Sequence, residues 1–492
     1  MRWTVQEVAH SLRVAVPLGL SPLARLAGVS IDSRSVGRGQ LFIAIRGPRH
    51  DGHDFVAAAL QAGAEAAVVA SERVSSYPVE IRGRLIATSD TLAALQELAQ
   101  AVRRAWGRRI AAVTGSVGKT TTKEILAALL GAKFRVLKSE GNLNNEYGLP
   151  LTLLRLEPED KAAVVELGMS HRGELRRLAE IAEPEVGVVT RVAPVHLEFF
   201  ASVDEIALAK RELIEGLTGP EPVAVLNADD PRVARFAEVA RGRVLTFGCG
   251  AQADFRAEKI QDHGAAGSEF DLIASGERTR LRLALPGRHS IENALAAMAA
   301  ASVWEIGPGE AADVLRHIKV GEMRGRLLEF AAGFAVISDS YNSNPVALAA
   351  MIDLLSHTGA PSGAQLGTKS GTYRRRILAA GEMLELGPDS ANLHRQAGRA
   401  AAAQGLDCIV AVQGHAAEIV NGAIGAGMPA SQALFFGDSS AAAEFLADFV
   451  RSGDLLLVKG SRGVKMERIV DALRVKYPLA EEASPAPARI TN

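Results

Sequence analysis

The chain has 492 residues, more than one domain holds, and dividing by the usual domain size gives about three. Its 48% hydrophobic and 23% charged residues are ordinary for a globular protein, and a formal charge of -1 excludes bulk electrostatic binding to nucleic acid or to a membrane surface. Cys249 and Cys408 lie far apart without a C-x-x-C partner, which fits a reducing compartment and excludes a thiol-rich zinc site.

Near the start, Glu7 and His10 stand where a signal peptide needs an apolar core. No later segment is apolar for long enough to span a bilayer, so a cytoplasmic protein with no membrane insertion is expected. Strand-like runs then alternate with Ala-rich helical stretches, the pattern of α/β domains with mainly parallel sheets. Residues 1–88 are read as a first domain and 89–109 as a linker helix. In that helix Asp90 precedes Leu92, Leu95, Leu98 and Val102 on one face, and Arg103 to Arg109 form a basic connector.

The apolar run from Ile110 to Val113 opens a central domain, 110–320, and leads into Thr114-Gly-Ser-Val-Gly-Lys-Thr-Thr121. Small residues at Gly115, Ser116, Val117 and Gly118 let backbone N–H groups close around a polyphosphate, with the following helix aiming its positive N-terminus at the same charge. Lys119 would reach the terminal phosphates, the Thr120 hydroxyl would hold Mg²⁺, and Thr121 continues the turn. Val113 stands where the usual pattern has its first glycine.

Farther along, Asn142, Asn144 and Asn145, with Gly148 and Pro150, make an amide-rich loop, read as a turn or a substrate-facing loop, with Pro150 stopping any helix start before it. Ala162 to Val165 ends in Glu166, either a Mg²⁺ ligand beside the phosphate loop or a surface carboxylate at a strand end. His196 follows the strand Val186 to Val189 and is a metal ligand, a phosphate contact or a structural histidine. Ser202 to Glu205 is a capping box, and Lys210, two turns on, reads by itself as a solvated helix lysine.

The second boundary falls in the polar run from Lys319 to Gly325, opening a third α/β unit, 321–479. Its apolar runs lie at Phe334 to Ile337, Ile377 to Ala380, Cys408 to Val412 and Leu455 to Val458. Residues 358–376 read as a flexible surface insertion and 480–492 as a disordered tail.

Taken together, T-G-S-x-G-K-T-T, N-x-N-N-x-x-G-L-P, V-E-L-G after Val164 and A-P-V-H-L-E around His196 resemble the ATP-dependent Mur ligases. The N-terminal segments Ile31 to Arg34, Gly39 to Gly47 and Asp51 to Phe55 resemble that family's UDP-sugar-binding domain. Later segments also resemble the family, in its order: Leu226 to Asp230, Asn293 to Ala297, Gly325-Arg326, Asp339 to Pro345, Gly381 to Gly387 and Val458 to Arg462. Within that family the segments resemble the branch that adds D-alanyl-D-alanine to UDP-N-acetylmuramoyl-tripeptide, which is the activity the resemblance implies.

The resemblance implies three α/β domains: an N-terminal UDP-sugar-binding domain, a central P-loop ATPase-type parallel sheet with helices on both faces, and a C-terminal Rossmann-like domain. It implies ATP and two Mg²⁺ ions, an acyl-phosphate intermediate and a monomer acting on small molecules. Lys119, Glu166, His196 and Lys210 would be catalytic, with Thr120, Glu166 and His196 at the metals and Lys210 matching a lysine that can be carbamylated. Asn293, Arg326 and Asp339 would contact ATP. Ser33, Arg34, Arg49, Asp51 and His53 would bind the UDP end. The three asparagines, Tyr341, Asn342, Asn344 and Glu382 would bind the remaining substrate. The family also uses a shorter glycine loop, so Val113 is regular for it.

Departures are Ser290 within His289-Ser-Ile-Glu-Asn293, Ser343 for a small alanine, and Glu382 where aspartate is commoner. The sibling branch that adds a diamino acid carries D-N-P-R in its third domain, and residues 378–475 lack it. Folylpolyglutamate synthase lacks the UDP-sugar domain, and a GTPase needs an N-K-x-D motif that is missing.

Overall fold

Three sheets follow one another along the chain in a computed structural model that describes residues 3–319, 321, 323–359 and 373–480. In the first, β1 (Val29–Ser30), β2 (Leu41–Ile43), β3 (Ala66–Ala70) and β4 (Leu85–Thr88) pair in parallel in that order. Every residue of β3 is buried, as an apolar run covered on both faces must be.

The helix Thr91–Trp106 starts where Asp90 Oδ1 accepts from the Leu92 and Ala93 N–H groups, and it ends at left-handed Gly107. Ala94, Leu95 and Leu98 pack into the first core, while Ala99, Val102 and Trp106 pack into the central one. It is therefore a strut shared by two units rather than a free linker. Arg103, expected in a basic connector, is buried within it and donates to the Ala182 and Glu183 carbonyls and to Glu185.

The central sheet has nine strands: β5 (Ile110–Thr114), β6 (Val136–Lys138), β7 (Ala162–Glu166), β8 (Val186–Val189), β9 (Val223–Asn227), β10 (Arg243–Gly248), β11 (Phe255–Asp262), β12 (Ser268–Ala274) and β13 (Glu277–Leu283). Their order is β13-β12-β11-β10-β9-β8-β5-β7-β6, so chain direction across the sheet reverses at β5, where α/β folds place their ligands. Apolar cores lie on both faces, as expected. The sheet is not wholly parallel, because β12 runs antiparallel to β11 and β13. The cause is local. His263 N–H donates to the Gly267 carbonyl in the turn from β11 into β12, and Ser275 and Gly276, both at positive φ, form the two-residue hairpin turn into β13.

The third sheet orders β14 (Arg326–Glu329), β15 (Ala335–Asp339), β16 (Arg375–Gly381), β17 (Cys408–Val412), β18 (Ala433–Phe436) and β19 (Asp454–Lys459) as β14-β15-β19-β16-β17-β18. Only β14, at an edge, is antiparallel. The expected insertion at 358–376 is trimmed at both ends. Thr358 is buried with its hydroxyl on the Leu354 carbonyl, and Arg375 and Arg376 belong to β16. Residues 360–372, and the expected disordered tail from 481, lie outside the described residues.

Candidate active site

Val113 pairs with Glu166 on β7 and Val188 on β8, so the position of the absent glycine is a buried rung of the ladder. The turn begins at Gly115, at φ 149°, where an added Cβ would lie 1.9 Å from the Thr190 hydroxyl. Gly118, at φ 86°, starts the helix Lys119–Gly131, and a Cβ there would lie 2.2 Å from Asn293 Oδ1. Both positions thus require glycine for space as well as conformation. The end of β8 fastens the loop. Thr190 donates to the Val117 carbonyl at 2.5 Å, and Ser116 donates through its N–H to Arg191 and through its hydroxyl to Ala193.

Against this loop stands Glu166, at the end of β7 and 4% exposed. The Thr120 hydroxyl donates to one carboxylate oxygen at 2.6 Å and Asn144 Nδ2 to the other at 2.9 Å. Glu166 N–H donates to the Ser139 hydroxyl, and the Ser139 carbonyl accepts from buried Lys123 at 2.6 Å. Lys119 Nζ donates to the Gly115 carbonyl at 2.8 Å. Desolvation pushes its ammonium below the ordinary lysine range; Glu166 opposes that and Arg324 adds to it. Lys210 lies on the helix Val203–Glu215 and is 2% exposed. Burial, then the neighbouring Lys119 charge, holds it well below its ordinary value, so it is no solvated surface lysine.

The opposite wall comes from the third unit. Asp339, ending β15, pairs with buried Lys459 at 2.6 Å, and Lys459 also donates to the Asn342 carbonyl. The Arg324 guanidinium lies 4.0 Å over the Tyr341 ring. Between the walls is a cleft of about 950 Å³, lined by the phosphate loop, Glu166, His196, Arg324, Asp339 and Lys459 among others. His289 also lines it and is pushed below the usual imidazole range by burial, against the pull of Asp339. His196 reaches Glu385 across the cleft, Nδ1 to carboxylate, at 2.5 Å, which holds the Glu385 carboxyl down.

Three family models match in chain order: Mur ligase family, catalytic domain, at residues 25–103; Mur ligase middle domain at 113–301; and Mur ligase, glutamate ligase domain, at 323–462. The UDP-N-acetylmuramoyl-tripeptide–D-alanyl-D-alanine ligase of Bacillus subtilis is 33% identical over 477 residues, covering 97% of this chain and 99% of the relative. The chain belongs to the Mur ligase family. The Escherichia coli enzyme of the same name is 36% identical over 463 residues, covering 91% of this chain and 94% of its own. Among solved structures, MurF from Acinetobacter baumannii superposes with a TM-score of 0.84 at 28% identity, covering 97% and 99% of the two chains. MurF ligase from Thermotoga maritima in complex with ADP gives 0.76 at 27% identity, covering 91% and 97%.

In this Mur ligase the residues expected at the site separate into groups. Ser116 to Thr121, Asn144, Asn145, Glu166, His196, Asn293, Asp339, Tyr341, Asn342 and Asn344 all line the cleft, and Gly115 sits behind the loop. Asn145 Oδ1 also accepts from the Tyr147 and Gly148 N–H groups, which starts the helix Gly148–Leu153. Pro150 therefore lies inside a helix instead of blocking one, because a first-turn proline has no N–H bond to lose. Asn344 caps the helix Pro345–His357 in the same manner. At Ser202 the capping box is half formed: its hydroxyl accepts from Glu205 N–H, but Glu205 reaches back to Ala201.

Asn142 is exposed outside the lining, and Glu382 accepts from His415 N–H under Gly414. Arg326 is exposed on β14 and does not line the cleft; Arg324 does. The N-terminal group stands apart from the cleft. Arg34 forks onto Asp32, whose carboxyl it holds down to about 2, and Ser33 and Arg49 lie on the same surface loops. Asp51 accepts from His53 twice, through its backbone N–H and through Nδ1. His53 corrects the expectation of a ligand contact. It is 2% exposed, and its Nε2 accepts from Ala70 N–H, so both ring nitrogens are consumed in holding the loop to β3. Sequence reasoning also missed Arg324, Lys459 and Glu385. Lys459 and Glu385 fall inside segments that carry the family resemblance, but nothing local marks their partners.

Proposed function

We propose that this Mur ligase joins D-alanyl-D-alanine to UDP-N-acetylmuramoyl-tripeptide at the expense of ATP, releasing ADP and phosphate. The observation that carries this reading is the cleft itself, in which cations from two units face a phosphate loop and a buried carboxylate. A peptide carboxylate and a triphosphate repel, so positive charge between them is the first requirement of phosphoryl transfer. Lys119 and the helix behind it lie on the phosphate side, with Arg324 and Lys459 opposite. The peptide carboxylate oxygen attacks the terminal phosphorus and ADP departs, giving an acyl phosphate. The amine of D-alanyl-D-alanine then attacks the acyl carbon, loses its proton, and phosphate leaves with the acyl–oxygen bond.

The donor set at Thr120 and Glu166, a hydroxyl and a carboxylate 2.6 Å apart, suits a hard cation, and His196 offers a second site on the same cleft. Mg²⁺ bound there supplies charge neutralisation between nucleotide and carboxylate. Asn293, behind Gly118, and Asp339 flank the nucleotide, while Asn144 and Asn145 border the peptide side. Exposed Arg34 and Arg49 and half-buried Ser33 are the groups left for the diphosphate and uridine, with Asp51 shaping the loop.

Lys210 supports a modified form. An amine kept neutral by burial is the species that adds CO₂, releasing a proton and leaving a carbamate anion beside the Lys119 charge. In this reading the enzyme works as a cytoplasmic monomer. The test is an incubation with ATP, Mg²⁺, UDP-N-acetylmuramoyl-tripeptide and D-alanyl-D-alanine, following phosphate release and product mass. Phosphate release that does not depend on the dipeptide overturns the assignment.

A further inference from the structure

The ligation chemistry leaves the contact between His196 and Glu385 unused. His196 is at φ 56° and Glu385 at φ 63°, both in the left-handed region that residues other than glycine enter at a cost. Two such residues facing each other mark a place where the surroundings enforce a geometry, and the enforcement is visible. Leu197, next to the histidine, packs against the central core. Leu386, next to the glutamate, is 2% exposed in the core of the third unit. Between these anchors the two backbones touch: a Cβ on Gly387 would lie 2.7 Å from the Leu197 carbonyl oxygen.

The pair is thus held from both sides, with Nδ1 of the ring 2.5 Å from the Glu385 carboxylate. A carboxylate only accepts, so Nδ1 carries a hydrogen, and in the neutral ring the lone pair is then on Nε2. Partners of this type fix the orientation of metal-binding histidines in general.

We infer that Glu385 is the positioning residue of His196, selecting the tautomer whose Nε2 accepts, and doing so only when the third unit is seated against the central one. Its catalytic consequence rests on His196 being a cation ligand; the tautomer choice does not.

The full-length protein labelled with ¹⁵N-histidine gives a direct readout, with the His196 signals assigned by their loss in His196→Asn. Wild type is expected to show the Nδ1–H form, and Glu385→Ala to move the ring to the Nε2–H form or a mixture. Glu385→Gln, which keeps the side-chain length and the loop's seat, is expected to lose the same selectivity. An unchanged tautomer in both variants overturns the proposal. In turnover assays Glu385→Ala should raise the half-saturating Mg²⁺ concentration roughly 10- to 100-fold, with KM for D-alanyl-D-alanine little changed. It should do nothing further in a His196→Asn background. Losses that multiply in the double variant also overturn it. A shifted tautomer with wild-type Mg²⁺ dependence in His196→Asn upholds the positioning and removes His196 from the cation site instead.

Discussion

Lys119 and buried Lys210 are neighbours: desolvation loosens the proton on both, and the Lys119 charge lowers Lys210 further. Lys119→Ala should cut turnover roughly 10²- to 10³-fold, the scale of losing one charge-stabilising group, while the melting temperature stays near wild type. Near-normal phosphate release would remove it from the mechanism. Lys210 yields a pH prediction. In the folded chain its amine is neutral well below 10.5, whereas the unfolded lysine stays charged up to that value, so unfolding takes up a proton throughout the interval. Stability then rises with pH across it. In CO₂-free buffer Lys210→Met should be the more stable protein at pH 7, with the gap closing as pH approaches 10.5. A gap independent of pH would show that the buried lysine is charged. Short carboxylic acids, standing in for the carbamate, should partly restore turnover to Lys210→Ala with or without CO₂, whereas no rescue by any of them would count against the carbamate.

Among the elements, the third sheet depends on a charge pair where two of its inner strands, β16 and β19, begin. Arg375 forks onto Asp454 at 2.7 and 2.6 Å, linking β16 to β19, and lies 4.6 Å over the Phe449 ring. Asp454 is 1% exposed, so Arg375→Ala leaves a buried carboxylate with the Arg451 N–H but no charged partner, a change that costs up to about 3–5 kcal/mol. A matching fall in the urea stability of the third unit is expected; a change below about 1 kcal/mol would mean water replaces the guanidinium. The same strand shows what sequence could and could not disclose. The apolar run from Ile377 was legible, but Arg375 and Arg376 looked like part of a loop, because their partners lie far along the chain at 454 and 407. The phosphate loop was legible for the opposite reason, since strand, turn and helix are contiguous, whereas Glu166 stayed open between a ligand and a surface carboxylate because its burial against Thr120 is a tertiary contact. Pro150 misled because a helix entrance and a helix stop use the same residue. His53 misled because a histidine in a polar loop carries no mark of burial.

For the molecule as a whole, the cleft belongs to no single unit: its floor is central, its far wall is in the third unit, and the strut Thr91–Trp106 joins the first. Mg·ADP should therefore raise the melting temperature, by an amount equivalent to about 2.7 kcal/mol at a hundredfold excess over Kd. Asp339→Ala, on the wall away from the phosphate loop, should reduce that rise. An undiminished shift would place the nucleotide wholly on the central unit.

The close approach of Gly387 to Leu197 has a practical consequence. A compound wedged between those backbones would hold the two units apart by the thickness of an atom or two. It would separate Glu385 from His196 without occupying the nucleotide's place, so it need not resemble ATP. Its selectivity would then come from a seam between this chain's own two units and not from the phosphate loop, and raising cellular ATP would not displace the inhibitor.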